Sequence, residues 1–478
     1  MSATDLEHAS ADPRPLPDTA GAGPLSPTER RAAWALSLIY VVRMLGLFII
    51  LPVFSLFADD YTHATPFLVG LAIGIYGLLQ AGLQIPFGLL SDRIGRKRVV
   101  TLGLLLLGTG SVVAATADSI WMVILGRALQ GSGAIAAALM ALAADLTRDE
   151  QRTKVMAMLG GSIGLSFILA LILGPVLIGW YSIDVLFWLT AACAVLGIVL
   201  LHTVVPDPPP ARHSADTVAD LGTVRRLFSH RMLLRLDASI FCLHLLITAT
   251  FFAVPLALRD VGIESGLQWQ VYLGAVVLSI AIMIPLIVLA ERRAMRGALL
   301  LSVAGLLLTQ LLLGASAVGL LPAGPVWLFA GVTLFFGFLN ALEALLPSLV
   351  SRLAPPAAKG SAMGIYSSSQ FLGAFVGGAG AGALHGTFGP GGLYVVLGAL
   401  CATWMLVLVG FEPPGRVATH RHRLGAGERA RASAVVAELE RIPGVREVAL
   451  AVDEGVAYLK VDKTVFVASS LSSLARAR

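Results

Sequence analysis

The chain has 478 residues, 57% of them hydrophobic and only 13% charged, against about 25% charged in a soluble domain. With a mean hydropathy of +0.83, so little charge excludes a fold solvated by water on all sides. The net charge of +5 is modest, and its basic residues sit at the ends of apolar segments rather than in one patch, which excludes a nucleic-acid-binding protein.

In chain order, residues 1–30 are rich in Ala, Pro, Asp and Thr and lack an early apolar core. They predict a disordered cytosolic tail and no secretory signal. Twelve stretches long and apolar enough to cross a membrane follow, at 33–58, 66–90, 99–116, 120–145, 154–177, 184–205, 236–258, 267–290, 298–319, 325–350, 361–385 and 390–411. The first carries one charge, Arg43, near mid-membrane, with Gly46 and Pro52 after it. Burial of that charge points to a water-filled cavity or to an anionic ligand group.

The second and third stretches are joined by Gly88-Leu-Leu-Ser-Asp92-Arg93-Ile-Gly95-Arg96-Lys97-Arg98. Gly88 and Gly95 permit close helix approach and a tight turn, and Asp92 at a helix end suits the positive N-terminus of another helix. The fourth stretch holds Arg127, Gln130 and Gly131 at i, i+3 and i+4, on one face. An arginine at that depth is costly unless it has a partner or a cavity. It supports two readings, proton coupling or a hydrogen-bond hub between helices. In the fifth stretch Gly160, Gly164, Gly174, Pro175 and Gly179 predict close helix packing and a bend. Cys193, Cys242 and Cys401 fall inside apolar segments and read as packing residues, with no metal site or disulfide.

Residues 206–235, proline-rich at the start and arginine-rich at the end, form a cytosolic linker that divides the membrane region into halves at 31–205 and 236–411. Ala290-Glu291-Arg292-Arg293, with Arg296, repeats the charged loop of the first half without its glycines. Four loops on one side hold twelve Lys and Arg residues (Arg93, Arg96, Lys97, Arg98, Arg148, Arg152, Lys154, Arg292, Arg293, Arg296, Arg352 and Lys359), whereas the other side holds only Arg259. Positive charge stays cytoplasmic, so both termini are expected inside a bacterial-type cytoplasmic (inner) membrane. Within the spans, Arg43, Phe167, Phe251, Asn340, Tyr366 and Gln370 are candidates for an amphipathic substrate cavity, and His244 for proton transfer. Asp145 and Glu343 are placed near cytoplasmic ends, leaving no carboxylate at mid-span.

The loop at 88–98 resembles the pattern of the major facilitator superfamily, and Arg127-x-x-Gln130-Gly131 and Gly174-Pro175 resemble motifs of its drug–proton antiporters. The resemblance implies a polytopic all-α membrane protein of twelve helices in two pseudo-symmetric halves of six, working by alternating access. It implies that Gly88, Asp92, Arg93, Gly95 and Arg96 gate the cytoplasmic side through a charge relay, with Asp145 and Glu343 as candidate partners.

After residue 414 the composition turns soluble. A basic strand at 416–424, a helix at 428–442, a hairpin around Asp453-Glu454-Gly455 and a second helix at 467–475 are expected. With Ile442-Pro443-Gly444-Val445, this order resembles the small α+β ferredoxin-like domain of YajR-type facilitators, over 415–478. It is expected to dock on the membrane part or to self-associate. The sequence reads as a proton-linked exporter of amphipathic small molecules with the proton as its only cofactor, contacting substrate and lipid. A facilitator of a small neutral or anionic metabolite, coupled or not, competes with it, as does a membrane sensor signalling through the tail. No catalytic constellation points to an enzyme.

Overall fold

The computed structural model describes residues 24–208, 227–322, 324–355, 358–412, 417–423, 432–451, 456–462 and 466. Most of the expected N-terminal tail, the middle of the linker, the Asp453–Gly455 turn and the helix at 467–475 lie outside the described residues.

The N-terminal half contains α1 (Pro27–Phe48), a 3-10 turn at Phe54–Asp60, α2 (Pro66–Ile94), α3 (Arg96–Ala115), α4 (Ile120–Ser132), α5 (Ala136–Asp145), α6 (Asp149–Ile178) and α7 (Asp184–Thr203). The other half contains α8 (Arg231–Asp260), α9 (Gln268–Leu289), α10 (Met295–Ala317), α11 (Pro325–Leu353) and α12 (Lys359–Val409). A small sheet and helix follow: β1 (Val417–Arg423), α13 (Ala432–Glu440), β2 (Val445–Ala451) and β3 (Val456–Asp462).

Among the described residues eleven helical segments, α4 and α5 counting as one, are long and apolar enough to cross a membrane. The last supplies two crossings. At 51 residues, α12 would span ~77 Å if straight, but Gly389 (φ 67°) breaks it. Ahead of the break, Gly373 and Gly377 run alongside Phe241 and Leu245 of α8, in the same direction. Beyond it, Gly391, Tyr394 and Gly398 meet Val318, Gly314 and Leu307 of α10 in reverse order. Twelve membrane segments result, as expected.

Three boundaries differ from the sequence reading. Helix α1 begins at Pro27, inside the expected tail, because Ser26 and Glu29 cap each other: Ser26 N–H donates to Glu29 Oε2 (2.8 Å) and Glu29 N–H to Ser26 Oγ (3.2 Å). Glu29 also accepts from the Arg148 backbone and side chain at 2.9 Å, fastening α1 to the start of α6. The fourth span is interrupted at 133–135, where Gly133 and Gly103 bring α4 and α3 so close that a Cβ on Gly133 would lie 2.4 Å from the Gly103 carbonyl oxygen. Helix α8 starts at Arg231, within the expected linker.

Glycine decides the difference between the two charged loops. Gly95, at φ 100°, makes the turn between α2 and α3. The second half has no glycine there, and Ala290–Ala294 continues as a π-helical turn into α10. At the end of the first half, Lys97 Nζ binds Asp207 Oδ1 (2.6 Å) and the Val205 carbonyl (2.7 Å), and the ammonium holds the Asp207 carboxyl below its usual range.

The tail sheet has the antiparallel order β1-β3-β2. This is the split βαβ arrangement of a ferredoxin-like domain. Period-2 alternation turns Ala457, Leu459 and Val461 toward Val435, Leu439 and Ile442. Lys460 points to the other face, where its ammonium donates to the carbonyls of Leu353 (3.3 Å) and Ala354 (3.0 Å) at the end of α11. A cation there satisfies carbonyls left open by the helix terminus.

Candidate functional site

Three helices of the C-terminal half converge on His244. Its Nε2 lies 3.2 Å from Glu343 Oε1 on α11 and 2.7 Å from Gln370 Nε2 on α12. Tyr366, one turn before Gln370, is buried with an unpartnered hydroxyl, and Asn340 lies one turn before Glu343 on α11. Glu343 does not join the loop relay expected of it. It lies ten residues, ~15 Å, from the α11 terminus at Leu353, and His244 lies thirteen residues, ~20 Å, from the start of α8. At ~45 and ~43 Å, α8 and α11 are longer than an apolar layer ~30 Å thick; His244 lies near the middle of α8, and Glu343 lies nearer the Leu353 end of α11 than its Pro325 end, as the sequence placed it.

Arg127 makes the second cluster. Its Nη1 donates to Gln130 Oε1 (2.7 Å) and the Gly46 carbonyl (3.2 Å), its Nε to the Ala72 carbonyl (3.4 Å), and Gln130 passes the chain to Ser111 Oγ (2.7 Å). The guanidinium stacks over the Tyr76 ring at 5.0 Å. Four helices, α1 to α4, meet at this one side chain, which favours the hub reading of Arg127. Gly131 lies beside it, against the Tyr76 backbone. A Cβ there would sit 2.4 Å from the Tyr76 carbonyl oxygen, so Gly131→Ala is expected to destabilise the N-terminal half by about 1–3 kcal/mol, read as a lowered Tm in detergent.

Arg43 is 1% exposed. It is enclosed within the N-terminal half and does not face open space between the halves, as the sequence had suggested. It lies over Tyr40 at 5.9 Å, and its Nε and Nη2 have no partner.

The loop residues meet in part as expected. Arg96 pairs with Asp92, donates to Ser91 Oγ (2.7 Å), and reaches Asp145 Oδ2 at 3.3 Å. Arg93 is exposed, and Gly88 meets only Ala137. These pairs are partly exposed, so Asp92→Asn is expected to cost only about 0.2–1 kcal/mol in stability. Its larger expected effect is on the accessibility of cysteine probes at the two mouths of the protein; unchanged accessibility would remove Asp92 from gating.

The two halves touch unevenly. Along α2 and α12, Pro66 lies against Gly382 and Gly386, Gly70 against Gly378 and Gly382, Gly74 against Phe375, and Gly77 against Phe371, and Ser368 Oγ donates to the Ala81 carbonyl (3.2 Å). All of these belong to the ends away from the basic loops or to mid-span. Gly360 and Gly364, at the basic-loop end of α12, face open space. Helix α6 behaves the same way. Gly179 meets Gly266 of the second half, and Gly174 meets the Ile49 carbonyl within its own half, whereas Gly160 and Gly164 have nothing within 4 Å. The packing expected of Gly160 and Gly164 is absent, since both lie on an exposed face of α6; α6 stays helical through Pro175. Between closed and open ends, Phe167 of the first half stacks edge-on against Phe251 (5.9 Å) and Phe336 (6.1 Å) of the second.

Sequence reasoning missed Tyr40, Tyr76 and Ser111. Tyr76, Gln80 and Gln84 recur at i, i+4 and i+8, a polar stripe on an otherwise apolar helix that signalled a buried network; Gln80 and Gln84 are 0% and 4% exposed.

Two six-span halves that meet along α2 and α12, with polar side chains buried among their helices, have the architecture of a membrane transporter. The sequence agrees: residues 36–319 and 305–470 match the Major Facilitator Superfamily, and the chain belongs to that family. It is a transporter, not an enzyme. It is 41% identical to "Inner membrane transport protein YajR" of Escherichia coli (strain K12), over 92% of this chain and 96% of that protein. It is 28% identical to "Multidrug resistance protein MdtH" of Aeromonas hydrophila, over 80% and 95% of the respective lengths. In fold it is similar to a D-xylose-proton symporter (TM-score 0.68, 16% identity, covering 81% of this chain and 98% of that one).

Proposed function

We propose that this chain is a proton-linked exporter of amphipathic small molecules in the bacterial inner membrane. Both termini and the basic loops are cytoplasmic, and the conformation is inward-facing. The observation that carries the proposal is the His244–Glu343 contact of 3.2 Å between two membrane-spanning helices, α8 and α11. Two titratable groups in that position exchange a proton between themselves and with whichever side the cavity faces. Ionised Glu343 accepts from the imidazole; protonated Glu343 donates to it. In low dielectric the charged carboxylate is disfavoured unless its partner compensates, so the proton's presence and the substrate's occupancy of the cavity are coupled.

The aromatic side chains Phe167, Phe251 and Phe336 pack on one another across the seam between the halves, while the half-buried Asn340 and Gln370 would supply a few polar contacts. That balance suits an amphipathic ligand. The multidrug resistance name of the MdtH relative points the same way. The direct test is uptake of a labelled amphipathic dye into inside-out vesicles, energised by an imposed pH gradient. Accumulation that collapses with the gradient supports proton-linked export; equilibration that ignores the gradient would sink it.

The tail domain has a role of its own under this reading. Through Lys460 it holds the loop between α11 and α12, whose first limb carries Gln370, and so it biases the closure of the cytoplasmic side.

A further inference from the structure

Two side chains from different helices meet one ring nitrogen. His244 Nε2 lies 2.7 Å from Gln370 Nε2 and 3.2 Å from Glu343 Oε1. The other nitrogen, Nδ1, is buried with no partner, so the ring's side-chain contacts are concentrated at Nε2. That nitrogen carries either a hydrogen or a lone pair and cannot donate and accept at once, whereas an amide nitrogen only donates. As Gln370 stands, Nε2 therefore accepts, and only protonated Glu343 suits the same lone pair. We propose that Gln370 is a positioning residue for this pair: its side-chain amide presents a donor or an acceptor to His244 according to where the pair's proton sits. This rests on the proton-linked reading of the pair.

When Glu343 passes its proton to Nε2, the O–H bond breaks, an N–H bond forms, and the pair becomes carboxylate and imidazolium. The new N–H donates to Glu343 but faces the amide N–H of Gln370, donor against donor. A half-turn about the last bond of the Gln370 side chain brings Oε1 to the same place, because the two ends of an amide are nearly equal in size. An apolar side chain of the same length matches neither proton position. The His244 and Glu343 side chains are 12% and 34% exposed, so the pair's proton can pass to and from water.

Few other titratable groups face the pair. Asp237 lies two turns earlier on the same face of α8. Glu343 is the only acidic residue of α11, and α12 adds the unpartnered hydroxyl of Tyr366. On α2, Tyr76 is turned to Arg127, and Asp92 and Arg93 lie at the helix end. Gln370 is also placed to pass the change on. It stands between Ser368, whose Oγ donates to the Ala81 carbonyl of the other half (3.2 Å), and Phe371, whose carbonyl lies against Gly77 of α2. The stretch of α12 that answers to His244 is the stretch that makes the seam.

The test is infrared difference spectroscopy of the full chain in lipid, between acid and alkaline pH and without substrate. The Glu343 carboxyl band is identified by its loss in Glu343→Gln. The amide band is identified by 13C-labelled glutamine in the wild type and by its loss in Gln370→Met, which keeps the length and removes the amide. In the wild type a glutamine carbonyl band is expected to shift at the same pH midpoint as the carboxyl band, and Gln370→Met is expected to displace that midpoint. A cysteine placed near Pro66 should label in a pH-dependent way, and Gln370→Met should reduce that dependence several-fold. A titrating carboxyl band with no glutamine band moving beside it overturns the proposal and leaves the proton-linked reading standing. So does a midpoint and a labelling profile that Gln370→Met leaves unchanged. Absence of any titrating band that Glu343→Gln removes overturns both.

Discussion

Glu343→Gln is expected to abolish uphill transport while leaving exchange of bound substrate between the two sides intact. The substitution keeps the size and hydrogen-bonding of the side chain but removes its ability to gain and lose a proton. The contact with His244 survives as a neutral amide–imidazole bond, so the fold should hold. Alternating access requires the empty or loaded carrier to reorient. A carboxyl fixed in a neutral, proton-like state lets it reorient without proton release. Counterflow of labelled substrate should therefore proceed near the wild-type rate, while accumulation against a gradient falls by an order of magnitude or more. Loss of both activities together would mean that Glu343 holds substrate or structure instead. Full retention of uphill transport would remove it from coupling.

The second large effect is expected at Gly70. A Cβ there would stand 2.2 Å from the Gly378 carbonyl oxygen and 2.9 Å from the Gly382 amide nitrogen. Both obstacles are backbone, so no side chain can turn aside. Within one half, such a clash would damage the fold, as expected of Gly131→Ala. Across the seam between halves it acts on conformation, because the seam exists only when the outer side is closed. A penalty of about 1–3 kcal/mol on that state alone shifts the inward/outward ratio by roughly fivefold to over a hundredfold. Gly70→Ala should thus populate the outward-open form with little loss of Tm, seen as increased labelling of a cysteine placed near Pro66. Gly164→Ala is the control, since Gly164 faces open space. If Gly70→Ala labels as wild type does, the seam does not close the outer side.

The architecture was largely legible because a membrane span is written in composition: some 20 apolar residues cannot be mistaken for much else. The last two spans were legible as well, as separate apolar stretches at 361–385 and 390–411. Smaller signals were misjudged. The start of α1 depended on a reciprocal Ser26–Glu29 cap, which lies outside the apolar stretch that hydropathy reads. The interruption of the fourth span depended on how closely α3 approaches it, a tertiary fact.

The site was legible in parts. The loop residues Asp92, Arg96 and Asp145 come together because motif spacing and helix ends fix them locally. His244, Gln370 and Glu343 were each singled out, but their meeting was not foreseen. They sit on three helices up to 126 residues apart, and helix rotation decides which faces converge. Arg43 was rightly marked as an anomalous charge, yet only packing reveals that it is sealed from the cavity. Gly160 and Gly164 failed for a different reason. Glycine spacing alone does not tell a packed helix face from an exposed one.

The most direct measurement of the central claim is proton movement by the purified protein in liposomes loaded with a pH-sensitive dye. A panel of amphipathic cations, neutral drugs and organic anions would be added outside. The account predicts that at least one amphipathic compound triggers proton flux in the wild type and none does in Glu343→Gln. Labelled compound crossing the membrane with no proton movement, or flux undiminished in Glu343→Gln, would contradict it.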